Sequence, residues 1–256
     1  MPGAAVIIPA RYGSTRFPGK LLCPLGGRPL ILHVLEGARQ ARLPAEIIVA
    51  TDDERIREVV ESAGGRAVMT RSDHESGTDR VAEAAAGLSY DIIINIQGDE
   101  PFIRGEAIDG LIRLLEGDPS AGMATLARRL KSAEEVADPN IVKVVLGEAG
   151  QALYFSRSPI PYYRDAPVAG KGRDGFSELP GDLYFGHIGV YGYRSEVLLR
   201  LSRAPSCPLE RAERLEQLRA LYLGIVIKVK ETSYPFIGVD TPGDLEKAEK
   251  WLNSSS

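Results

Sequence analysis

Short β-branched runs alternate with amphipathic stretches of helical period from the start of the chain, and this alternation limits the fold more than any other feature. Residues 5–8, 47–50, 67–69 and 92–96 read as strands. Between them the sequence carries helix punctuation. Pro29 can open one helix at its first turn, and Gly64-Gly65 can close the one that begins near Glu54. Residues 92–96 are almost unbroken apolar sequence, as a strand covered on both faces must be. Repeated β-α units, continuing to about Arg128, bury such strands when a mainly parallel sheet carries helices on both faces.

The second half is less regular. Residues 141–146, 152–155, 188–193 and 225–229 read as strands, residues 208–223 as one long helical segment, and residues 242–252 as a final helix with Thr241 as its N-cap. Residues 158–182 form a stretch of 25 with four prolines and four glycines. A loop that long within a compact fold is either functional or a surface insertion. The closing Asn253-Ser254-Ser255-Ser256 is polar and reads as a frayed tail. No internal repeat is present.

At 256 residues the chain can bury about 70% of its unfolded surface, as one α/β domain or two smaller ones. Lys plus Arg number 31 against 35 Asp plus Glu, a formal charge of −4, which argues against duplex nucleic acid as a partner. Cys23 and Cys207 make neither a disulfide framework nor a zinc site, so a reduced, intracellular protein is expected. No apolar run approaches the roughly 18 residues of a membrane span. The apolar run at 4–10 follows no basic segment, so the expected location is cytoplasmic, away from any membrane.

The first strand runs into Pro9-Ala10-Arg11-Tyr12-Gly13-Ser14-Thr15-Arg16-Phe17-Pro18-Gly19-Lys20. In open α/β sheets ligands bind beyond the carboxyl ends of strands, where this loop falls. It lacks the glycine triplet of a dinucleotide fingerprint. It also misses the P-loop pattern, because five residues separate Gly13 from Gly19 and Leu21 follows Lys20. No acidic residue occurs from Met1 to Leu35, whereas Arg11, Arg16, Lys20 and Arg28 do. Cations around exposed backbone N–H groups suit a polyphosphate. A solvated basic loop is the alternative for the cations alone, and the loop's place and its glycines favour phosphate.

Two aspartates complement the loop. Asp99 follows the 92–96 strand in Gln97-Gly98-Asp99-Glu100-Pro101, and Asp240 lies between an apolar stretch and a helix start in Gly238-Val239-Asp240-Thr241-Pro242. Strand-end carboxylates near a triphosphate suit Mg²⁺, which takes one or two protein oxygens and fills its octahedron with water and phosphate. Asp240 also reads as a helix N-terminal acid and Asp99 as a turn residue.

These segments closely resemble the 3-deoxy-manno-octulosonate (KDO) cytidylyltransferase family. The matching residues are Ile7-Ile8-Pro9-Ala10-Arg11-Tyr12, Ser14-Thr15-Arg16, Pro18-Gly19-Lys20, Ile48-Val49-Ala50-Thr51-Asp52, Met69-Thr70-Arg71, Asp73-His74 and Ser76-Gly77-Thr78. They continue with the Asp99 and Asp240 segments, Val142-Lys143-Val144-Val145-Leu146, Ala152-Leu153-Tyr154-Phe155-Ser156-Arg157, Tyr191-Gly192-Tyr193-Arg194 and Leu215-Glu216-Gln217-Leu218-Arg219. The likeness covers residues 5–252 in order.

The resemblance implies a nucleotide-diphospho-sugar transferase-like α/β fold, Rossmann-like, with a mixed, mainly parallel sheet and helices on both faces. It implies one domain over 1–256, with 1–128 mainly nucleotide-binding, 129–252 mainly sugar-binding and dimerisation, and 253–256 a flexible tail. It implies a homodimer that joins CTP to KDO, giving CMP-KDO and pyrophosphate for lipopolysaccharide synthesis. Carried onto this chain, the CTP contacts are Ala10, Arg11, Gly13, Ser14, Thr15, Arg16, Lys20, Arg71, Ser76, Gly77 and Gln97. Asp99 and Asp240 match the Mg²⁺ ligands, and with Arg16 and Lys20 they form the catalytic set.

The sugar end rests on residue chemistry. Arg157 and Arg164 flank the Pro-rich loop and can grip a carboxylate. His187 and Tyr191, four apart at a strand, face one side. Gln97 can bond ribose or sugar. Glu210 and Gln217, seven apart, share a face of the helix read at 208–223. Each also reads as an ordinary structural polar residue. His33 reads as a packing residue of its helix, and His74 sits in the cytidine-side segment. Three alternatives remain: a cytidylyltransferase for 8-amino KDO or a sialate, a nucleotide-binding protein without turnover, and a sugar-1-phosphate nucleotidyltransferase. The second is disfavoured because Lys20, Asp99 and Asp240 are all present, and the third because the loop opens Pro9-Ala10 instead of on paired glycines.

Overall fold

The computed structural model describes residues 3–13, 17–164, 183–234 and 237–254. Ser14, Thr15, Arg16 and most of the loop read at 158–182 lie outside the described residues. In chain order the elements begin with β1 (Ala4–Ala10), a 3-10 turn (Lys20–Leu22), β2 (Pro24–Leu25), β3 (Arg28–Pro29), α1 (Leu30–Arg39) and β4 (Pro44–Thr51). They continue with α2 (Glu54–Ser62), β5 (Arg66–Met69), α3 (Gly77–Ala85), β6 (Ile92–Asn95), α4 (Gly105–Gly117), β7 (Ala121–Arg129) and α5 (Ala133–Ala137). The remainder are β8 (Lys143–Leu146), β9 (Ala152–Ser156), β10 (Phe185–Arg194), α6 (Ser195–Arg203), α7 (Pro208–Glu213), α8 (Gln217–Tyr222), β11 (Val226–Glu231) and α9 (Pro242–Ser254).

The chain divides into two compact units. The first comprises Met1–Arg113, Val190–Ser202 and Pro235–Ser256. At its centre β1 runs parallel to β4, with Ala5 opposite Glu46 and Ala10 opposite Thr51, and parallel to β6, with Ile7 opposite Asn95. β5 extends the sheet beyond β4, and Tyr191–Arg194 of β10 lies antiparallel along β6. Every residue of β1 is buried, so its apolar run shows no period of two. Helix α1 buries Leu30, Ile31, Val34, Leu35 and Ala38, with Pro29 at its N-cap. The side chain of Asp53 caps α2 and that of Ser76 caps α3. This architecture brings the ends of β1 and β6 side by side, where Ile96 N donates to Ile7 O at 3.3 Å.

The second unit comprises Leu114–Gly189 and Arg203–Tyr234. There β7 and β11 run parallel, with Met123 opposite Ile227, while β8 and β9 form an antiparallel pair that Phe185 and Gly186 join through Val144 and Lys143. A small core of Leu130, Val136 and Tyr184 packs with Ile141.

Two expectations need correction, and one strand went unread. The segment 208–223 is not one helix: Arg214 adopts a left-handed conformation (φ 53, ψ 50) that ends α7, and α8 starts at Gln217. Glu210 and Gln217 therefore share no helix face. Strand β7 was not anticipated, because AGMATLARR is built from good helix formers and only its burial favours extension. Asn253 and Ser254 are the last residues of α9 and not part of a frayed tail. No helix among the described residues is long and apolar enough to cross a membrane.

Candidate active site

The site grows from the loop that follows β1. Ala10, the last residue of β1, is buried, and Arg11 is exposed. The chain then returns: Gly19 N donates to Tyr12 O at 2.9 Å, and the 3-10 turn carries Lys20 inward until only 8% of it is exposed. Its ammonium donates to Asp99 Oδ2 at 2.5 Å and to Asp240 Oδ1 at 2.9 Å. Three groups far apart in sequence thus meet at one point.

Each acid has a local reason to be there. Asp99 follows β6 through Gly98, where a Cβ would come within 2.9 Å of Pro9 O, so glycine permits the close approach of the two strand ends. Asp240 is tied to the same place by its neighbour, because Val239 N donates to Asp99 O at 2.9 Å. Thr241 Oγ1 then accepts from Asp244 N at 3.3 Å, capping α9 as the sequence suggested. The far end of α9 is fixed by Trp251, whose ring centroid lies 4.2 Å from that of Phe102.

Two carboxylates face one ammonium, and a third acid, Glu100, stands beside them. Burial first, and then the negative charges of Asp99 and Asp240, raise its pKa to about 8 against the partial opposition of Lys20. Glu100 was missed by sequence reasoning. Its adjacency to Asp99 was visible, but its closeness to Asp240 was not.

This donor set fits a hard divalent cation. Asp99 and Asp240 retain 26% and 48% side-chain exposure, converge on one point, and carry one negative charge more than Lys20 balances. Among the described residues no group of three or more His, Cys, Asp or Glu side chains could hold a metal. Two carboxylates completed by water and phosphate oxygens are the arrangement Mg²⁺ accepts.

On the other side of β1, the buried Arg80 joins the end of β4 to the segment after β5. It donates to Asp52 Oδ2 at 2.7 Å and to Thr70 Oγ1, while Thr70 N donates to Thr51 O at 2.8 Å. This support was also missed. From it extend Arg71, exposed and within 3.4 Å of Asp73, and Ser76, whose hydroxyl caps α3 by accepting from Asp79 N at 3.1 Å. Gly77 lies against Gln97, whose amide donates to Asn95 Oδ1 at 3.3 Å. His74 pairs with Glu83. His33 hydrogen-bonds Leu25 O at 2.8 Å, the packing role expected of it.

Of the sugar candidates, Tyr191 lies in the first unit, where its ring packs near Tyr193. Gln97 is also in the first unit, and the other five lie in the second. Arg157 donates from Nε to Glu213 O at 2.9 Å and from its guanidinium to Pro139 O at 2.9 Å, and Arg164 is exposed. His187 meets Thr125 Oγ1 at 3.0 Å and the edge of Phe155, and burial lowers its pKa to about 3. Glu210 is buried, caps α7 and pairs with Arg219. Gln217 is buried too, and its Nε2 has no hydrogen-bond partner among the described residues.

A mainly parallel sheet whose strand ends gather a cation-bearing loop and two converging carboxylates defines a nucleotidyltransferase of the nucleotide-diphospho-sugar transferase class. The family model described as cytidylyltransferase matches residues 5–230. A 3-deoxy-manno-octulosonate cytidylyltransferase of Geobacter metallireducens is 51% identical, covering 96% of each chain. One of Geotalea uraniireducens is 52% identical, over 94% of this chain and 95% of that one. A solved structure of CMP:2-keto-3-deoxy-manno-octonic acid synthetase complexed with CTP superposes with a TM-score of 0.90 at 44% identity, covering 99% of this chain and 100% of that one. The chain belongs to the cytidylyltransferase family, among the 3-deoxy-manno-octulosonate cytidylyltransferases.

Proposed function

We propose that this protein transfers CMP from CTP to the anomeric hydroxyl of KDO, releasing pyrophosphate and supplying activated KDO for lipopolysaccharide synthesis. The observation that carries the reading is the Lys20 ammonium held between Asp99 and Asp240 at the mouth of the loop after β1.

In this reading Arg11, Gly13, Ser14, Thr15, Arg16 and Lys20 bind the triphosphate with Ala10 at the loop's base, and Arg71, Ser76, Gly77 and Gln97 receive the cytidine. Asp99 and Asp240 would hold Mg²⁺, which when bound supplies positive charge at the α-phosphate. Lys20 and Arg16 neutralise the charge that gathers on departing pyrophosphate. The sugar hydroxyl attacks phosphorus in line, so no protein nucleophile is needed. Gln97, Arg157, Arg164, His187, Tyr191, Glu210 and Gln217 are assigned to the sugar. The orphaned amide of Gln217 supports its place in that set, since a buried donor without a partner costs about 1–3 kcal/mol unless a ligand satisfies it. The working form is a cytoplasmic homodimer.

The test is pyrophosphate release with CTP and Mg²⁺ plus KDO, 8-amino KDO or a sialate in turn. KDO should give the highest kcat/KM. Absence of release with all three sugars sinks the enzymatic reading, and preference for another sugar reassigns the substrate.

A further inference from the structure

Tyr12 lies between Arg11 and Gly13 in the loop after β1 and has no role in the assignment above. Its carbonyl accepts from Gly19 N, closing the loop at its two ends. Gly19 has φ 71, and a Cβ there would stand 3.0 Å from the Tyr12 ring, so only glycine both adopts this conformation and leaves room for the aromatic. The same ring carries the Arg55 guanidinium, whose central carbon is 3.6 Å from the ring centroid.

Arg55 is itself held fast. Its Nε donates to Asp53 Oδ1 at 2.9 Å and its terminal nitrogen to Asp53 Oδ2 at 2.7 Å, a two-pronged pair. Asp53 caps α2 through Arg55 N, and Asp53 N donates to Thr51 Oγ1 at 3.2 Å, at the last residue of β4. A continuous chain of contacts therefore runs from the β4–α2 junction through Asp53, Arg55 and Tyr12 to Gly19.

Resting on the reading of this loop as the triphosphate site, we propose that Asp53, Arg55 and Tyr12 form a clamp that positions it. Arg11 is the neighbour of Tyr12 and Lys20 the neighbour of Gly19, so fixing the Tyr12–Gly19 closure fixes where both cations leave the backbone. Arg55 is then a positioning residue for CTP that touches no part of the substrate. Its effect falls on the phosphate end of the nucleotide, because the segment assigned to the base is supported separately by Arg80.

The test is calorimetric titration of CTP and of CMP, with Mg²⁺ present, alongside steady-state turnover. Arg55→Ala and Tyr12→Ala should each weaken CTP binding about tenfold and CMP binding less than threefold, with the KM for sugar unchanged. Tyr12→Phe, which keeps the ring, should stay within about threefold of the parent, and Arg55→Lys, which keeps the charge but loses the two-pronged pair and the stacked guanidinium, should fall between the parent and Arg55→Ala. Unchanged CTP affinity in Arg55→Ala overturns the clamp, as does a parallel rise in both substrates' KM with a lowered melting temperature. Parent protein that binds CTP yet releases no pyrophosphate with any sugar defeats the catalytic reading alone. Parent protein that binds no CTP defeats both.

Discussion

Replacing Lys20 with methionine keeps the bulk of the stem and removes the charge, which isolates what the ammonium does. It lies 2.5 Å from Asp99 and 2.9 Å from Asp240. Stripping one partner from a fully buried ion pair costs about 3–5 kcal/mol, and from an exposed one about 0–1 kcal/mol. Lys20 is 8% exposed while its two acids keep contact with water, so the loss falls between these limits, at about 1–3 kcal/mol. In a chain of this length that lowers Tm by about 2–10 °C. Denaturant unfolding can be followed by the fluorescence of the single tryptophan, Trp251, in the helix that Asp240 precedes. On the proposed function, the variant also loses the cation assigned to the leaving group, worth about 10²–10³ in kcat by analogy with removing one preorganised donor. The decisive assay is pyrophosphate release at saturating CTP. A kcat within threefold of the parent, with only the KM for CTP raised, would show that Lys20 serves binding alone. No change in stability would show that the three-charge arrangement contributes nothing to the fold.

Asp99→Asn keeps the shape of the side chain and leaves Lys20 paired with Asp240, so the circular dichroism spectrum should be unchanged while turnover falls at least a hundredfold. Near-normal turnover at saturating Mg²⁺ would refute the ligand assignment. His187 gives a pH signature: burial lowers its pKa from the ordinary 6.5 to about 3, so the unfolded chain takes up its proton first as pH falls. The stability this neutral ring contributes is complete above about pH 6.5 and is lost as pH drops from there toward 3, by up to about 2 kcal/mol at pH 5. Comparing unfolding free energies at pH 7 and pH 5 in the parent and His187→Gln should show the smaller decline in the variant, and equal declines would refute it.

What the sequence disclosed, and what it hid, follows from how local each signal is. β1, β6 and the second half of β4 were legible because strands buried on both faces must be apolar throughout, β5 as a short apolar run although it is only partly buried, α2 through its closing Gly64-Gly65, and α9 through its Thr241 cap. The split of α7 from α8 was hidden because it turns on Arg214, a residue type that does not advertise a left-handed conformation. β7 was hidden because its three alanines, Met123 and Leu126 favour helix until tertiary burial overrides them. At the site, Lys20, Asp99 and Asp240 could be named from their places at strand ends and helix starts. The pressure on Glu100, the bracing by Arg80 and the clamp on Tyr12 depend on distances across the fold, which no local pattern carries.

The ion pairs of Lys20 span 79 and 220 positions of the chain. A ribosome delivers Lys20 and Asp99 long before Asp240 and the helix anchored by Trp251, so a nascent polypeptide can fold its early β-α units without possessing the complete charge cluster. A nonsense codon or a protease cut shortly before Asp240 would remove the second acid and its anchoring helix together. The oldest part of the growing chain therefore waits on nearly the youngest, and a truncated product can hold much of its core while lacking the constellation at its centre.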